Sequence, residues 1–253
     1  DVEEISEKVE EDDHRVNIGS DGYLLEVDQL SKIDSDDIYF TTSRNILFNI
    51  KSPEISKSSN EFNYIKNQIS KIENVLYNPT YFNENQVNKL IDIDSFVDWY
   101  LINEIAKNND AAFWSSCYMT LIPGQKLKMG PIWDFDIAFG NINFNDNEKA
   151  EGFWIKNSSW IKMMFRSDEF VKKVKERFLY FYSHKQDLIN YSNTLSEKIN
   201  LSRYQNDKVW KTLGVYIYPN FVYNFNSFSQ EQKYLNDWII NRFEWLKVAI
   251  ENL

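Results

Sequence analysis

The sequence predicts an α+β fold: one domain, with a β-containing N-terminal part at residues 1–55 set on a mainly α-helical part at residues 56–253. Three observations predict it. Turn signals and compact apolar runs alternate through the first fifty residues. From about residue 58, apolar residues recur every three or four positions. A Pro-Gly turn at Pro123-Gly124 then separates two short strand-like runs within the helical part. Only 7 glycines and 5 prolines in 253 residues argue against a many-turned β sandwich.

Taken in order, "SDGYLLEVDQL" opens on a turn at Asp21-Gly22 and continues as an apolar strand. "DDIYFTTSRNILFNIKSP" predicts two strands joined near Ser43-Arg44-Asn45 and stopped by Ser52-Pro53. In "SSNEFNYIKNQISKIENVLYN", Phe62, Ile65, Ile69, Ile72 and Leu76 form the stripe of an amphipathic helix. After a polar stretch at Asn78-Pro79, "IDIDSFVDWYLINEIAKNND" predicts a helix capped by Asp94 or Ser95. Val97, Leu101 and Ile105 are its buried side, and Asn108-Asn109-Asp110 end it. "SCYMTLIPGQKLKMG" predicts a β-hairpin. Beyond Gly140 a loop is expected until Ser167, the N-cap of "DEFVKKVKERFLYFY", with further helix from about Lys185 to Asn200. A last helix is expected from Ser229, where Gln232 completes a capping box. Its buried residues are Leu235, Trp238, Ile239, Leu246 and Ile250.

Composition narrows the function. At 43% hydrophobic and 16% aromatic the chain can bury a core. A net charge of −10 argues against a nucleic-acid partner, because phosphate contacts need a basic surface. The lone Cys117 cannot form an internal disulfide and reads as a small buried hydrophobe. The two histidines, His14 and His184, are too far apart in sequence to suggest a His-based metal site. No apolar run reaches transmembrane length, and no signal peptide is visible. The acidic run from Glu3 to Asp13 reads as a solvated face. Trp154, Trp160, Trp210 and Tyr216–Tyr218 fall in loop-like regions, where they could form a stacking platform for a base or sugar.

The chemistry concentrates in "GPIWDFDIAFGN", residues 130–141. If this segment were a strand, Asp134 and Asp136 would share one face beside much apolar surface. That arrangement is costly unless a metal ion, a basic side chain or backbone donors pair with them. The order along the chain is informative: a helix, Asp110, Ser115 five residues on, a hairpin, then Asp134-Phe135-Asp136. It resembles the catalytic lobe of protein kinases, where a catalytic-loop Asp precedes a metal-binding Asn by five residues and a hairpin leads to an Asp-Phe-Gly. Three departures stand out. Ser115 replaces the Asn, Asp136 replaces the Gly, and no His-Arg precedes Asp110.

"KNNDAAFWSSCYM" followed by "KLKMGPIWDFDIAFGN" resembles the CotH family of spore-coat and cell-surface proteins, which are atypical protein kinases. "GYLLEVD", "FNIKSPE", "SFVDWYLINEIAKNND", "EGFWIKNSSWIKMMF" and "YLNDWIINRFEWL" extend the resemblance over nearly the whole chain. It implies an atypical protein-kinase-like fold lacking most of the N-terminal lobe. Consistent with that, the sequence carries no glycine-rich loop. It also implies ATP as cofactor with Mg²⁺ or Mn²⁺, a basic Ser/Thr-rich protein substrate, and a spore-coat or surface location. Asp110 carries over as the catalytic carboxylate and Asp134 as the catalytic Mg²⁺ ligand. Asp136, Asn141 and Ser115 are further nucleotide-binding candidates, with Asp136 and Ser115 also candidate metal ligands. The competing reading is a non-catalytic scaffold or glycan-binding module on the same fold.

Overall fold

The computed structural model describes residues 22–80, 82–220 and 225–253. The acidic run, His14 and Asp21 of the first turn lie outside the described residues. The chain divides into two compact units, one holding residues 22–100, 110–133 and 156–170, the other residues 101–109, 134–155 and 171–253.

The first unit is built on a five-stranded antiparallel sheet. Strands β1 (Tyr23–Val27), β2 (Ile38–Thr41), β3 (Leu47–Ser52), β4 (Cys117–Leu121) and β5 (Lys128–Met129) lie in the order β2-β3-β1-β4-β5. The strands expected on either side of Ser43-Arg44-Asn45 form, and Asn45 takes the left-handed conformation the turn needs (φ 59°). The hairpin at Pro123-Gly124 also forms, but it does not stand apart from the N-terminal strands. β4 pairs with β1, setting Tyr23, Leu25 and Val27 opposite Leu121, Met119 and Cys117. All six side chains are buried, as strand alternation requires of one covered face. Cys117 is the buried hydrophobe the composition suggested, with burial pushing its thiol up to about 12.

Helix α1 (Asn60–Leu76) packs in this unit. Ser59 caps it by accepting the Phe62 N–H at 3.2 Å. Its stripe buries Ile65, Ile69, Ile72 and Leu76, each contributing roughly 1.5–3 kcal/mol. Glu73 lies on the same side. Its carboxylate accepts from Thr42 at 3.0 Å and from the Trp160 indole at 3.2 Å, while burial raises its pKa.

Two short helices go beyond the sequence reading, α2 (Glu84–Leu90) and α4 (Ser159–Met164). At seven and six residues they are too brief to repeat a stripe. α4 overturns the loop expected there and takes Trp160 out of any stacking platform. That indole is fully buried, 5.8 Å from the Phe48 ring and 5.7 Å from Phe113.

Helix α3 (Ile93–Ala106) starts earlier than expected. Its cap is Asp92, which accepts the Ser95 N–H at 3.0 Å, while the Ser95 hydroxyl donates to the Asp92 carbonyl at 2.7 Å. Ser167 caps α5 (Asp168–Ser183) as expected, accepting the Phe170 N–H at 3.0 Å.

The second unit is helical. α6 (Lys185–Lys198) and α7 (Asn200–Trp210) carry helix beyond the limit expected at Asn200. α8 (Phe228–Glu251) begins one residue before Ser229, so Ser229 lies inside the helix and is not its cap, while the Gln232 amide donates to Ser192 of α6 at 2.8 Å. Trp238, Ile239, Leu246 and Ile250 are buried as expected, while Leu235 is half-buried. α7 buries no side chain, and Trp210 at its end is 72% exposed. Among the described residues no helix is long and apolar enough to cross a membrane.

Candidate functional site

In the first unit, Asp110 heads a tight turn. Its carbonyl accepts the N–H groups of Trp114 at 3.3 Å and Ser115 at 3.2 Å, and left-handed Phe113 and Ser116 redirect the chain into β4. The Asp110 side chain is half-buried. Ser115 is fully buried, and its hydroxyl is engaged by protein groups. It donates to Asp28 Oδ1 at 2.7 Å and accepts from Lys32 Nζ at 2.7 Å. Asp28 directly follows β1, so this hydroxyl ties the Asp110 turn to the sheet. The sequence reading missed both Asp28 and Lys32.

In the second unit, residues 134–141 form no strand, which overturns the shared-face expectation for Asp134 and Asp136. The cause is local. Pro131 offers no N–H to prolong β5, and Asp134 is left-handed (φ 62°), so alternation is lost. Asp134 is half-buried and Asp136 exposed, and Trp133 just before them is 62% exposed. The burial cost imagined for two charges in an apolar stretch is therefore largely absent.

The interior holds this loop by its backbone. Asn108 donates its amide to the Asp134 carbonyl at 3.0 Å and to Asn103 Oδ1 at 3.2 Å. The Phe139 N–H donates to the Ala106 carbonyl at 2.7 Å, completing the end of α3. Asn141 donates to the Asp136 carbonyl at 2.9 Å and to Asn220 at 3.0 Å. Asn141 thus braces the loop that carries Asp136, and Asn108 braces the one that carries Asp134.

Gly140 closes this loop at φ 77°, with its carbonyl held by the Tyr234 hydroxyl at 2.9 Å. A Cβ there would lie 2.4 Å from Trp238 Nε1 and 2.5 Å from Cδ1. Gly140→Ala is expected to cost about 2–5 kcal/mol, steric overlap adding to backbone strain. Urea denaturation with the midpoint of the second unit unchanged would contradict this.

Beneath the loop lies a buried ionic layer that the sequence reading did not single out. Glu104 and Arg242 are fully buried and paired at 2.8 Å. Arg242 also donates to the carbonyls of Glu104 (2.7 Å), Ala150 (2.7 Å) and Gly152 (2.7 Å). Glu104 Oε1 accepts the Trp154 N–H at 2.8 Å. Lys107 is 3% exposed, and its ammonium donates to the carbonyls of Asp146, Lys149 and Glu151. Burial lowers its pKa to about 8, with Arg242 pushing the same way and Glu104, Glu148 and Asp146 opposing. The one signal for this layer in the sequence is a charge on an apolar stripe, as with Arg242 between Trp238, Ile239, Phe243 and Leu246.

Among the described residues, no three or more His, Cys, Asp or Glu side chains gather into a metal cluster. Searches of curated proteins and of solved structures find no match. A family model described as CotH kinase protein matches residues 1–246, taking in the Asp110 turn, the hairpin, the Asp134 loop and the ionic layer beneath it. The chain belongs to the CotH kinase family.

Proposed function

We propose that the chain is an ATP- and Mg²⁺-dependent protein kinase of atypical type, phosphorylating Ser or Thr of a spore-coat or cell-surface protein. Membership of the CotH kinase family supports the class of activity. One observation carries the assignment within this chain. Asp134 stands at a left-handed residue whose own carbonyl is gripped by Asn108, two residues before Asp110. Such bracing fixes the backbone that carries this carboxylate, as a metal ligand requires.

The residues present fit Mg²⁺-ATP. Carboxylate oxygens are the hard donors Mg²⁺ prefers, and one or two of them suffice because phosphates and water complete its shell. Asp134 and Asp136 are the donors we assign, with Asn141 supporting Asp136. Bound Mg²⁺ would supply neutralisation of charge on the transferring phosphoryl group. Asp110 would accept a hydrogen bond from the acceptor hydroxyl and orient it. Ser115, with its proton committed to Asp28, we assign to holding the Asp110 turn. The net charge of −10 favours a basic substrate.

Calorimetric titration of ATP, with and without Mg²⁺ or Mn²⁺, tests this reading. Metal-dependent binding is the expected result. A folded protein that binds no nucleotide would overturn the kinase reading. It would favour the alternative of a non-catalytic assembly or glycan-binding module, for which the exposed Trp210 and Tyr218 offer a stacking surface.

A further inference from the structure

From Asp146 to Gly152 the chain turns six carbonyls inward. Three face the Lys107 ammonium, at 2.7, 2.9 and 2.7 Å. Two face the Arg242 guanidinium, both at 2.7 Å. One accepts from the Trp238 indole at 3.0 Å. This is the lining of a cation-binding loop, with side-chain cations fixed where an ion would sit.

The same stretch grips the end of α3 from its other side. Asn147 donates to the Lys107 carbonyl at 3.2 Å and to Asn109 Oδ1 at 3.3 Å, and Asn145 donates to Asn109 Oδ1 at 2.9 Å. The Trp154 indole donates to the Asn109 carbonyl at 3.0 Å. Lys107 itself is left-handed (φ 48°), a conformation unusual for a long side chain. Asn108, between these two anchored residues, is the one that holds the Asp134 carbonyl.

We propose that Lys107 is a positioning residue, its ammonium clamping the 146–151 loop onto the 107–109 turn so that Asn108 can hold the Asp134 loop in place. The catalytic consequence rests on the reading of Asp134 as the Mg²⁺ ligand; the clamp itself does not. Without the ammonium, its three hydrogen bonds to the loop are lost together, and of those carbonyls the one of Asp146 keeps the Lys149 N–H at 3.2 Å. The 145–152 segment then loosens, and its asparagines release the turn that carries Asn108.

The test compares the wild-type chain with Lys107→Met and Lys107→Ala, reading backbone hydrogen exchange and phosphotransfer. In both variants, amides of 145–152 and of 134–141 are expected to exchange at least about tenfold faster. Turnover is expected to fall on the order of 10²-fold, with KM for ATP little changed. Ethylammonium is expected to restore protection and turnover in Lys107→Ala but not in Lys107→Met, whose side chain fills the cage. A purely structural contribution of side-chain volume would show the reverse pattern and overturn the proposal. Unchanged protection at 134–141 in both variants would also overturn it, whatever the activity. If wild-type protein transfers no phosphate, exchange at 134–141 still decides the clamp while the kinase reading falls separately. If Lys107→Met does not fold, restoration of Lys107→Ala by ethylammonium decides alone.

Discussion

Arg242→Met is expected to destabilise the helical unit by about 3–5 kcal/mol. The guanidinium is fully buried and donates to Glu104 Oε1 and to the carbonyls of Glu104, Ala150 and Gly152. Methionine keeps much of the volume and offers no donor. It leaves a buried carboxylate without its cation and takes the guanidinium donor from the carbonyls of Ala150 and Gly152, and each such loss costs far more than an exposed ion pair contributes. The double variant Glu104→Gln with Arg242→Met is expected to recover part of the loss, because the unpaired charge is gone. Urea denaturation of the two single variants and the double variant measures this. If Arg242→Met lost less than about 1 kcal/mol, the ionic layer would not be what holds residues 146–152 against α3 and α8.

Asp134→Asn is expected to reduce phosphotransfer by at least about 10³-fold while leaving stability within about 0.5 kcal/mol of wild type. The asymmetry follows from the geometry. The interior holds Asp134 by its main-chain carbonyl, which the substitution leaves in place. Asparagine also tolerates a left-handed backbone better than most residues, so φ 62° is no obstacle. Only the charge and one acceptor oxygen are lost, and these are what a Mg²⁺ ligand supplies. Activity near wild type would remove Asp134 from the metal site. A folded variant that still binds Mg²⁺-ATP but does not turn over would keep Asp134 in the chemistry and shift metal binding toward Asp136. Asp110→Asn belongs in the same assay, with an expected fall in turnover at little cost to nucleotide binding.

The sequence alone was most informative where a pattern repeats. The α1 stripe, the strands around Ser43–Asn45, the hairpin at Pro123-Gly124 and the Ser167 cap were legible because periodicity and turn chemistry act locally. The order Asp110, hairpin, Asp134 was legible for the same reason, and with the flanking blocks it identified the CotH kinase family. Short helices were not. A capping side chain in α2, and burial of Trp160, Ile161 and Met164 in α4, do the work of a stripe. Asn83 accepts the Gln86 N–H at 3.1 Å, a bond that any loop asparagine could make.

What only the tertiary structure decided is which polar groups serve the interior. The sequence offered Ser115 as a metal donor; in the fold its hydroxyl also bonds Asp28 and Lys32, 87 and 83 residues away. It presented Asp134 and Asp136 as a strand pair; a proline and a left-handed residue replace the strand with a loop. It set Arg242 on an apolar stripe but did not show that Lys107 and Arg242 would meet the carbonyls of a loop 39 to 92 residues distant. The reason is physical. Helix and strand propensity are settled by neighbours in sequence, whereas burying a charge requires donors and acceptors that only the folded chain brings together.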